Sequence, residues 1–358
     1  MTPNSPMSDA TDTTWHDLVQ PSDSPAAGAI LLTDLPERRV IEVTGSEAQA
    51  FLHAILTQDI NALSDEAASF SAFCSAKGRA LGLMRIAAHE DGFRLVTRAE
   101  LAPGLLKRLQ MYVLRRDVQL SLAEDQTALG LIWPGDAKSM SCPFDDAAAC
   151  EAIEGLSMAQ PAPGRWPAVV DAQGRLFLRE EQHANNGVRI AVHGPASDLE
   201  AMVRSATDAT AIVSTDHWER AEIEDRLPEV TSETAEHFVP QWINLDELEA
   251  FSLKKGCYPG QEVIARMHYL GKPNRRLFAG HVLGLAPPAP GTPIHNDKDE
   301  TAGEVVRSAP LPDDSGSLVL TVIKLKHLHD PLTIDGLALS LDPHDTIEGG
   351  SHRAGARH

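Results

Sequence analysis

The chain has 358 residues, which suits two or three domains, each large enough for its own hydrophobic core. Hydrophobic residues make up 42% of it and charged residues 23%, the composition of an ordinary globular protein. With 51 acidic and 31 basic residues the formal charge is -20, which argues against a broad electrostatic grip on nucleic acid.

The cysteines and the apolar segments indicate the cellular compartment in which the protein is expected. No apolar run reaches the ~18 residues expected of a membrane span. Residues 1–28 lack the basic and apolar blocks of a signal peptide, and their composition predicts a disordered N-terminus. The cysteine spacings match neither a CxxC pair nor a zinc ribbon, which favours a reducing cytoplasm. These cysteines are Cys74, Cys142, Cys150 and Cys257.

Residues 29–125 are predicted to form a first α+β domain. Alternation over residues 39–43 predicts a strand, and Ser46 followed by Gln49 is a capping-box pattern that predicts the start of a helix. Helices on one face of a mostly antiparallel sheet are the expected arrangement. The further predicted elements are strands at 70–74, 80–86 and 93–96, a helix from Pro103, and a strand at 118–122.

Residues 126–274 are predicted to form a second α+β domain. Prolines and glycines over 134–165 predict loops with at most a short helix, and Asn186-Gly187 is a strong hairpin signal. Strands are predicted at 168–170, 176–179 and 188–192, and helices from Gly194-Pro195 and over 218–227.

Residues 275–344 consist of short apolar runs cut by proline and glycine. Strands at such spacing predict a small β-barrel. The last stretch, 345–358, is predicted to be a disordered tail.

The segment KKGCYPGQE, residues 254–262, is the most distinctive in the chain. Gly256 and Pro259-Gly260 bracket Cys257 and predict a tight turn. Nearby Lys254 and Lys255 would favour the thiolate, the form of a cysteine that acts as nucleophile or metal ligand. The alternative is a cysteine that serves as a small buried hydrophobe.

Basic residues gather around this segment in an otherwise acidic chain. Such an island could hold an anionic small molecule, and the alternative is a solvated charged face. Its members are Lys254, Lys255, Arg266, Lys272, Arg275 and Arg276.

The string KGCYPGQE, followed by residues 263–266, closely resembles the signature of the YgfZ family of folate-binding proteins. These are relatives of the glycine cleavage T-protein, an aminomethyltransferase (GcvT). The block at 74–79 is also similar to that family. The resemblance implies a GcvT/YgfZ-like α+β fold, with two α+β sheet domains around a central cavity and a C-terminal β-barrel. It also implies that Cys257 is the functional thiol.

The resemblance further implies bound tetrahydrofolate. Ile-Glu-Ala-Gly of the family corresponds to residues 223–226, so Glu224 would face the pterin, with Arg226 in place of the glycine. Trp218 matches a folate-contacting tryptophan, and a second such position holds Arg38. The alternatives are a surface carboxylate and a core aromatic. The implied site comprises Cys257, the folate residues Trp218, Glu224, Tyr258, Gln261 and Arg266, and the motif residues Lys254, Lys255, Gly256, Gly260 and Glu262.

Three functions follow as hypotheses. The resemblance implies a folate-binding accessory protein for iron–sulfur cluster assembly or repair, acting on client enzymes that include those that thiolate tRNA, without binding nucleic acid or membrane itself. A single thiolate cannot hold a cluster, which takes about four ligands, so a transfer role would follow. The second hypothesis is a folate-dependent aminomethyltransferase, with Asp59 as a possible counterpart of the aspartate that the T-protein uses near the folate nitrogen. The third is a thiol enzyme with His268 as base.

Overall fold

The computed structural model describes residue 22 and residues 25–89, 92–135, 140–160, 162–180, 187–271 and 273–343. The first eleven strands are β1 (Ile30–Asp34), β2 (Arg38–Thr44), β3 (Ala67–Cys74), β4 (Ala80–His89), β5 (Gly92–Arg98), β6 (Gln119–Leu122), β7 (Gln126–Pro134), β8 (Trp166–Val170), β9 (Leu176–Glu180), β10 (Gly187–Pro195) and β11 (Thr210–Ile212). The helices are α1 (Ala48–Ile55), α2 (Ala102–Val113), α3 (Ala147–Met158), α4 (Ala196–Arg204), α5 (Asp216–Glu224) and α6 (Gln261–Leu270).

These eleven strands form a single sheet in the order β11-β1-β7-β10-β9-β8-β3-β4-β5-β2-β6. The β1–β11 pair is parallel and the other pairs are antiparallel. Pairing of β8 with β3, at Ala67 with Pro167 and Ala68 with Trp166, joins the two halves of the sheet. One half consists of β2 to β6, and the other consists of β1 and β7 to β11.

Apolar faces of the helices cover each half of the sheet. In the β2–β6 half, Phe51 of α1 and Leu105 of α2 belong to one buried cluster. In the other half, Ile153 of α3 and Leu199 of α4 belong to a second one. A third cluster lies between the halves and the C-terminal barrel, and it includes Tyr258 of the KKGCYPGQE segment.

The C-terminal strands close into a barrel in the order β12-β15-β14-β13-β16-β17, which confirms the predicted barrel. Its own core includes Phe278, Val305 and Ile323. The strands are β12 (Arg275–Leu283), β13 (Pro293–Asn296), β14 (Thr301–Pro310), β15 (Gly316–Lys324), β16 (Leu332–Ile334) and β17 (Leu337–Leu341).

Two local predictions are wrong. The N-cap of α1 is Glu47, which makes no side-chain capping bond, and Ser46 instead donates to an Asp117 oxygen at 2.7 Å. The predicted loop before β8 contains the twelve-residue helix α3, whose N-cap, Asp146, accepts from the Ala149 amide at 3.0 Å. An acidic N-cap before a run of alanines is a good helix start, and the prolines on both sides obscured it.

A disulfide joins Cys142, in the segment before α3, to Cys150 in its first turns, with the Cα atoms 5.0 Å apart. The spacing of these cysteines did not predict it. Cys74 and Cys257 are free. Within the ranges that the structure describes, no helix is both long and apolar enough to cross a bilayer. The predicted disordered tail, the N-terminus up to residue 21, Asn186 and Lys272 lie outside those ranges.

Candidate functional site

The segment that carries Cys257 is a loop held against the β3–β4 turn. Gly260, just before α6, has φ +82°, and a Cβ there would lie 2.6 Å from both the Ser75 carbonyl oxygen and the Gly78 Cα. Gly78 has φ +69° and would meet Val263 of α6 in the same way. Only glycine combines positive φ with such close approach at low cost. The two blocks that resemble the YgfZ family are therefore in direct contact.

Lys255 anchors this loop from inside. Its residue is 9% exposed, and its Nζ donates to the carbonyl oxygens of Leu56, at 2.5 Å, and Gln58, at 2.9 Å. The ammonium also lies 5.0 Å from the centre of the Tyr258 ring. Burial lowers the pKa of Lys255 to about 8, although Asp59 opposes the shift. The Lys255 ammonium therefore holds the loop against the segment that follows α1.

Further hydrogen bonds tie that same stretch to the residues before the loop. The Thr57 hydroxyl donates to the Ala250 carbonyl at 2.9 Å, and the side-chain amide of Gln58 donates to the Glu249 carbonyl at 2.6 Å. The Ser252 amide donates to the Thr57 carbonyl at 2.9 Å. The loop is therefore fixed at both ends.

Cys257 itself is a free and exposed cysteine, as the sequence predicted for the functional thiol. By contrast, Cys74 is buried, and burial raises the pKa of its thiol to about 12. Lys254 is exposed near Cys257, whereas the Lys255 ammonium is hydrogen-bonded to two backbone carbonyls. An exposed thiol on a fixed loop can undergo exchange or bind a soft metal without a conformational change.

The remaining motif residues lie on the surface or at the start of α6. Gly256 is exposed, and a Cβ there would meet nothing within 4 Å. Gln261 begins α6 and is half-buried, while Glu262 and Arg266 are exposed and paired at 2.8 Å. His268 lies in the last turn, with its ring edge-on to Tyr269 at 5.0 Å.

Several buried polar atoms around the loop lack a hydrogen-bond partner. They are Ser75 Oγ, Gln241 Oε1, Trp242 Nε1 and the Tyr258 hydroxyl oxygen. Buried polar groups are almost always paired, so a cluster of unpaired ones indicates a bound polar molecule or water. Burial also raises the pKa of Tyr258, which keeps its hydroxyl protonated as a donor.

The other predicted folate residues, Trp218 and Glu224, lie on α5, in another part of the molecule. Trp218 is fully buried, with the guanidinium carbons of Arg38 and Arg189 at 5.1 and 5.2 Å from its ring centre. A Cβ on Gly130 would lie 2.6 Å from the indole. Its ring is thus packed like a core aromatic. Glu224 is half-buried near the end of α5.

A buried ionic cluster fills the space beside Trp218. Glu222 accepts from Arg38 at 2.7 Å, from Arg85 at 2.6 Å, and from Arg307. Burial alone would raise the pKa of Glu222, but these guanidinium groups hold it well below its ordinary value. Glu180 accepts from Arg38 at 2.8 Å.

Four carboxylates balance the four arginines of this cluster. Its members are Arg38, Arg85, Arg189, Arg307, Glu180, Glu219, Glu222 and Asp225. The sequence analysis missed its centre, Glu222, and singled out Glu224 two residues later. Charged residues inside otherwise apolar strands, Arg85 in β4 and Arg189 in β10, were the available signal.

A polar cavity of about 300 Å³ borders this cluster. It lies where the β1–β2 turn, α5 and the barrel meet, and its size is at the lower end for small-molecule pockets. Burial raises the pKa of one lining residue, Glu37, to about 7. The lining residues are Glu37, Arg98, Thr215, Glu219, Glu229, Thr231, Pro290, Val306, Arg307 and Ser308. Within the described ranges, no three His, Cys, Asp or Glu side chains are placed to hold a metal ion.

The sequence was compared with those of known proteins. No family model matches the chain. The tRNA-modifying protein YgfZ of Colwellia psychrerythraea is 27% identical over 250 residues, which is 69% of this chain and 70% of that protein. YgfZ of Cronobacter sakazakii is 26% identical over 318 residues, or 85% of this chain and 88% of that protein. This chain is similar to the YgfZ proteins over most of its length.

A solved structure shows the same fold. The glycine cleavage system aminomethyltransferase T from Bartonella henselae superposes with a TM-score of 0.67 and 17% sequence identity, over 90% of this chain and 87% of that protein. The predicted GcvT/YgfZ-like fold, mixed α and β with a C-terminal barrel, is confirmed. At this identity the similarity concerns the fold alone.

Proposed function

We propose that this chain is a tetrahydrofolate-binding accessory protein that supports tRNA modification through the assembly or repair of iron–sulfur clusters in client enzymes, in the cytoplasm. The observation that carries the proposal is Cys257, a free, exposed thiol on a loop that Lys255 and Gly260 hold in place. The similar proteins are tRNA-modifying YgfZ proteins, which supports a role in tRNA modification.

A lone thiolate sets the kind of step that Cys257 would perform. Clusters take about four protein ligands, so Cys257 would not house one. It would instead exchange with a client thiol or ligate one iron during transfer, and its exposure leaves room for a client. The client enzyme supplies the remaining ligands.

The unpaired polar atoms around the loop support a folate site beside Cys257. Tyr258 would donate through its hydroxyl, while Trp242 would donate through its indole nitrogen and Gln241 would accept. Tetrahydrofolate, when bound, supplies a reduced heterocycle that carries one-carbon units. Gln261, at the start of α6, and Arg266, in its middle, remain proposed contacts.

Titration with tetrahydrofolate, followed by quenching of the five tryptophans, tests the folate site. We expect Tyr258→Phe to weaken affinity about tenfold, because a buried ligand hydrogen bond is lost. Glu37→Gln, in the separate cavity, should leave affinity unchanged. Weaker binding in Glu37→Gln but not in Tyr258→Phe would assign the ligand to that cavity. Absence of quenching in the wild type would refute the proposal of folate binding.

Complementation tests the thiol. In a strain that lacks its own member of the family, we expect Cys257→Ser to fold normally and to abolish rescue of tRNA thiolation. The double variant Cys142→Ser/Cys150→Ser is the control, since it removes the two partly buried sulfur atoms of the disulfide and leaves Cys257 in place. Full rescue by Cys257→Ser would refute the assigned role.

The second candidate is an aminomethyltransferase-type one-carbon transferase, which the shared fold with aminomethyltransferase T favours. The candidate aspartate, Asp59, accepts from the Asn61 backbone amide at 3.1 Å and contacts His53 at 3.2 Å, so its carboxylate already serves a local turn. Turnover of a methylene donor with glycine-cleavage partners, lost in Asp59→Asn, would establish this activity.

A further inference from the structure

The outer face of α2 carries basic and apolar side chains together. Met111 is 64% exposed, Tyr112 43% and Leu114 87%, which is unusual for residues of this size. Lys107 and Arg108 are exposed one turn earlier, and residues three or four apart share a helix face. We call this surface the α2 patch, made of Lys107, Arg108, Met111, Tyr112, Leu114, Arg115 and Arg116.

The patch is basic within an acidic protein. Residues 102–116 contain four basic and no acidic residues, whereas the whole chain has a formal charge of -20. In the part of the chain that the structure describes, none of the four cations forms an ion pair, although Arg116 lies 5.8 Å from the Phe51 ring centre. The adjacent carboxylates, Glu47 and Asp117, are tied to each other's loops by hydrogen bonds.

The end of α2 is also strained. Leu114 follows the helix with φ 54° and ψ -105°, a backbone conformation that residues other than glycine rarely adopt. A large apolar side chain is thereby held out in solvent. Strain of this kind persists at positions that serve a function more often than elsewhere.

We infer that the α2 patch docks a client protein through an apolar anchor surrounded by acidic side chains. An apolar centre with a charged rim is the anatomy of a protein–protein interface. RNA is disfavoured, because phosphates gain nothing from Met111 and Leu114, and the net charge of the chain repels a polyanion. Acidic side chains of a partner would interact mainly with the cations of the α2 patch, because salt screens electrostatic interactions beyond about 10 Å.

Direct contacts connect the patch to the thiol loop. The Tyr112 ring meets Phe73 edge-on at 6.1 Å, and Phe73 forms a backbone bridge with Leu56. The Leu56 carbonyl accepts from Lys255, two residues before Cys257. The role of the partner as a client rests on the proposed function, while the docking surface does not.

A labelled 18-residue peptide tests the surface, with leucines along one helical face and glutamates elsewhere, added to the full-length protein. We expect micromolar binding that weakens about tenfold in Lys107→Glu/Arg108→Glu and, independently, in Met111→Ser/Leu114→Ser. A peptide with serine in place of leucine should bind at least about tenfold more weakly. Lys298→Glu/Lys326→Glu, on the barrel surface, is the matched control and should bind normally.

Two sets of results would overturn the inference. One is peptide binding that neither patch variant weakens. The other is binding of a 20-nucleotide RNA, or of vesicles of anionic phosphatidylglycerol, that depends on the same residues while the peptide fails. Cys257→Ser should bind the peptide like the wild type, so failure of the thiol hypothesis leaves a distinct signature from failure of the docking surface.

Discussion

Lys255 shows how a single motif residue can differ in role from its sequence neighbours. Its ammonium bonds two carbonyls that lie 197 and 199 residues earlier in the chain. The sequence correctly predicted a held loop with an exposed Cys257, but it assigned Lys255 to activation of the thiol. No local pattern identifies partners at such a separation, so this error was unavoidable.

The buried ammonium of Lys255 makes stability depend on pH. Burial lowers its pKa from 10.5 to about 8 in the folded protein, so the unfolded chain binds more protons between these values. Stability therefore rises with pH over that window, by at most about 1.4 kcal/mol per pH unit. Urea unfolding from pH 7 to pH 10 measures it.

Variants isolate this contribution from that of other groups. The difference between wild type and Lys255→Met should grow with pH between 8 and 10, because only the wild type gains stability from Lys255. At pH 7 the same variant should lose about 1–3 kcal/mol, since two buried carbonyls lose their donor. Lys254→Met, an exposed neighbour, should show neither effect. A flat difference would mean that the amine is solvated.

At the scale of elements, the contact between the β3–β4 turn and α6 decides the position of the thiol. Gly260→Ala should cost about 1–3 kcal/mol or more, because positive φ and a clash with the Ser75 carbonyl add together. Gly256→Ala, in open space within the same loop, is the control and should be within about 0.5 kcal/mol of wild type. Equal unfolding midpoints for both variants would contradict the contact.

Most elements could be predicted from periodicity and turn residues, including the barrel and the strands around the motif. Ser46 was misread because a capping-box pattern cannot show that the Ser46 hydroxyl has a better partner in Asp117. The twelve-residue helix α3 was longer than the short helix that the sequence allowed, because flanking prolines suggested a loop. Both errors concern competition between local propensity and contacts that only the fold supplies.

On the scale of the whole molecule, the cluster around Glu222 joins α5, both halves of the sheet and the barrel. Glu222→Gln should cost about 3–5 kcal/mol, because it leaves buried guanidinium groups without a counter-charge. Glu200→Gln, in an exposed pair with Arg204, should cost less than about 1 kcal/mol. Thermal unfolding compares the two, and equal losses would show that the cluster is solvated.

Sequence analysis could have found only part of this cluster, from the arginines inside apolar strands. The sequence resemblance correctly implied the fold, and in the structure the Arg38 guanidinium carbon lies 5.1 Å from the centre of the Trp218 ring. It could not show that Glu222 closes the space between them, because buried charges are recognised only from their partners.

The topology of the large sheet has a consequence for how the molecule assembles. Strands β2 to β6 come from one uninterrupted stretch, whereas β1 must wait for β7, which follows that stretch, and for β11, which is made much later. Local contacts form faster than distant ones. During synthesis the half that carries α1 and α2 can therefore acquire its shape first, and the opening strand stays unmatched until the ribosome has delivered its distant neighbours.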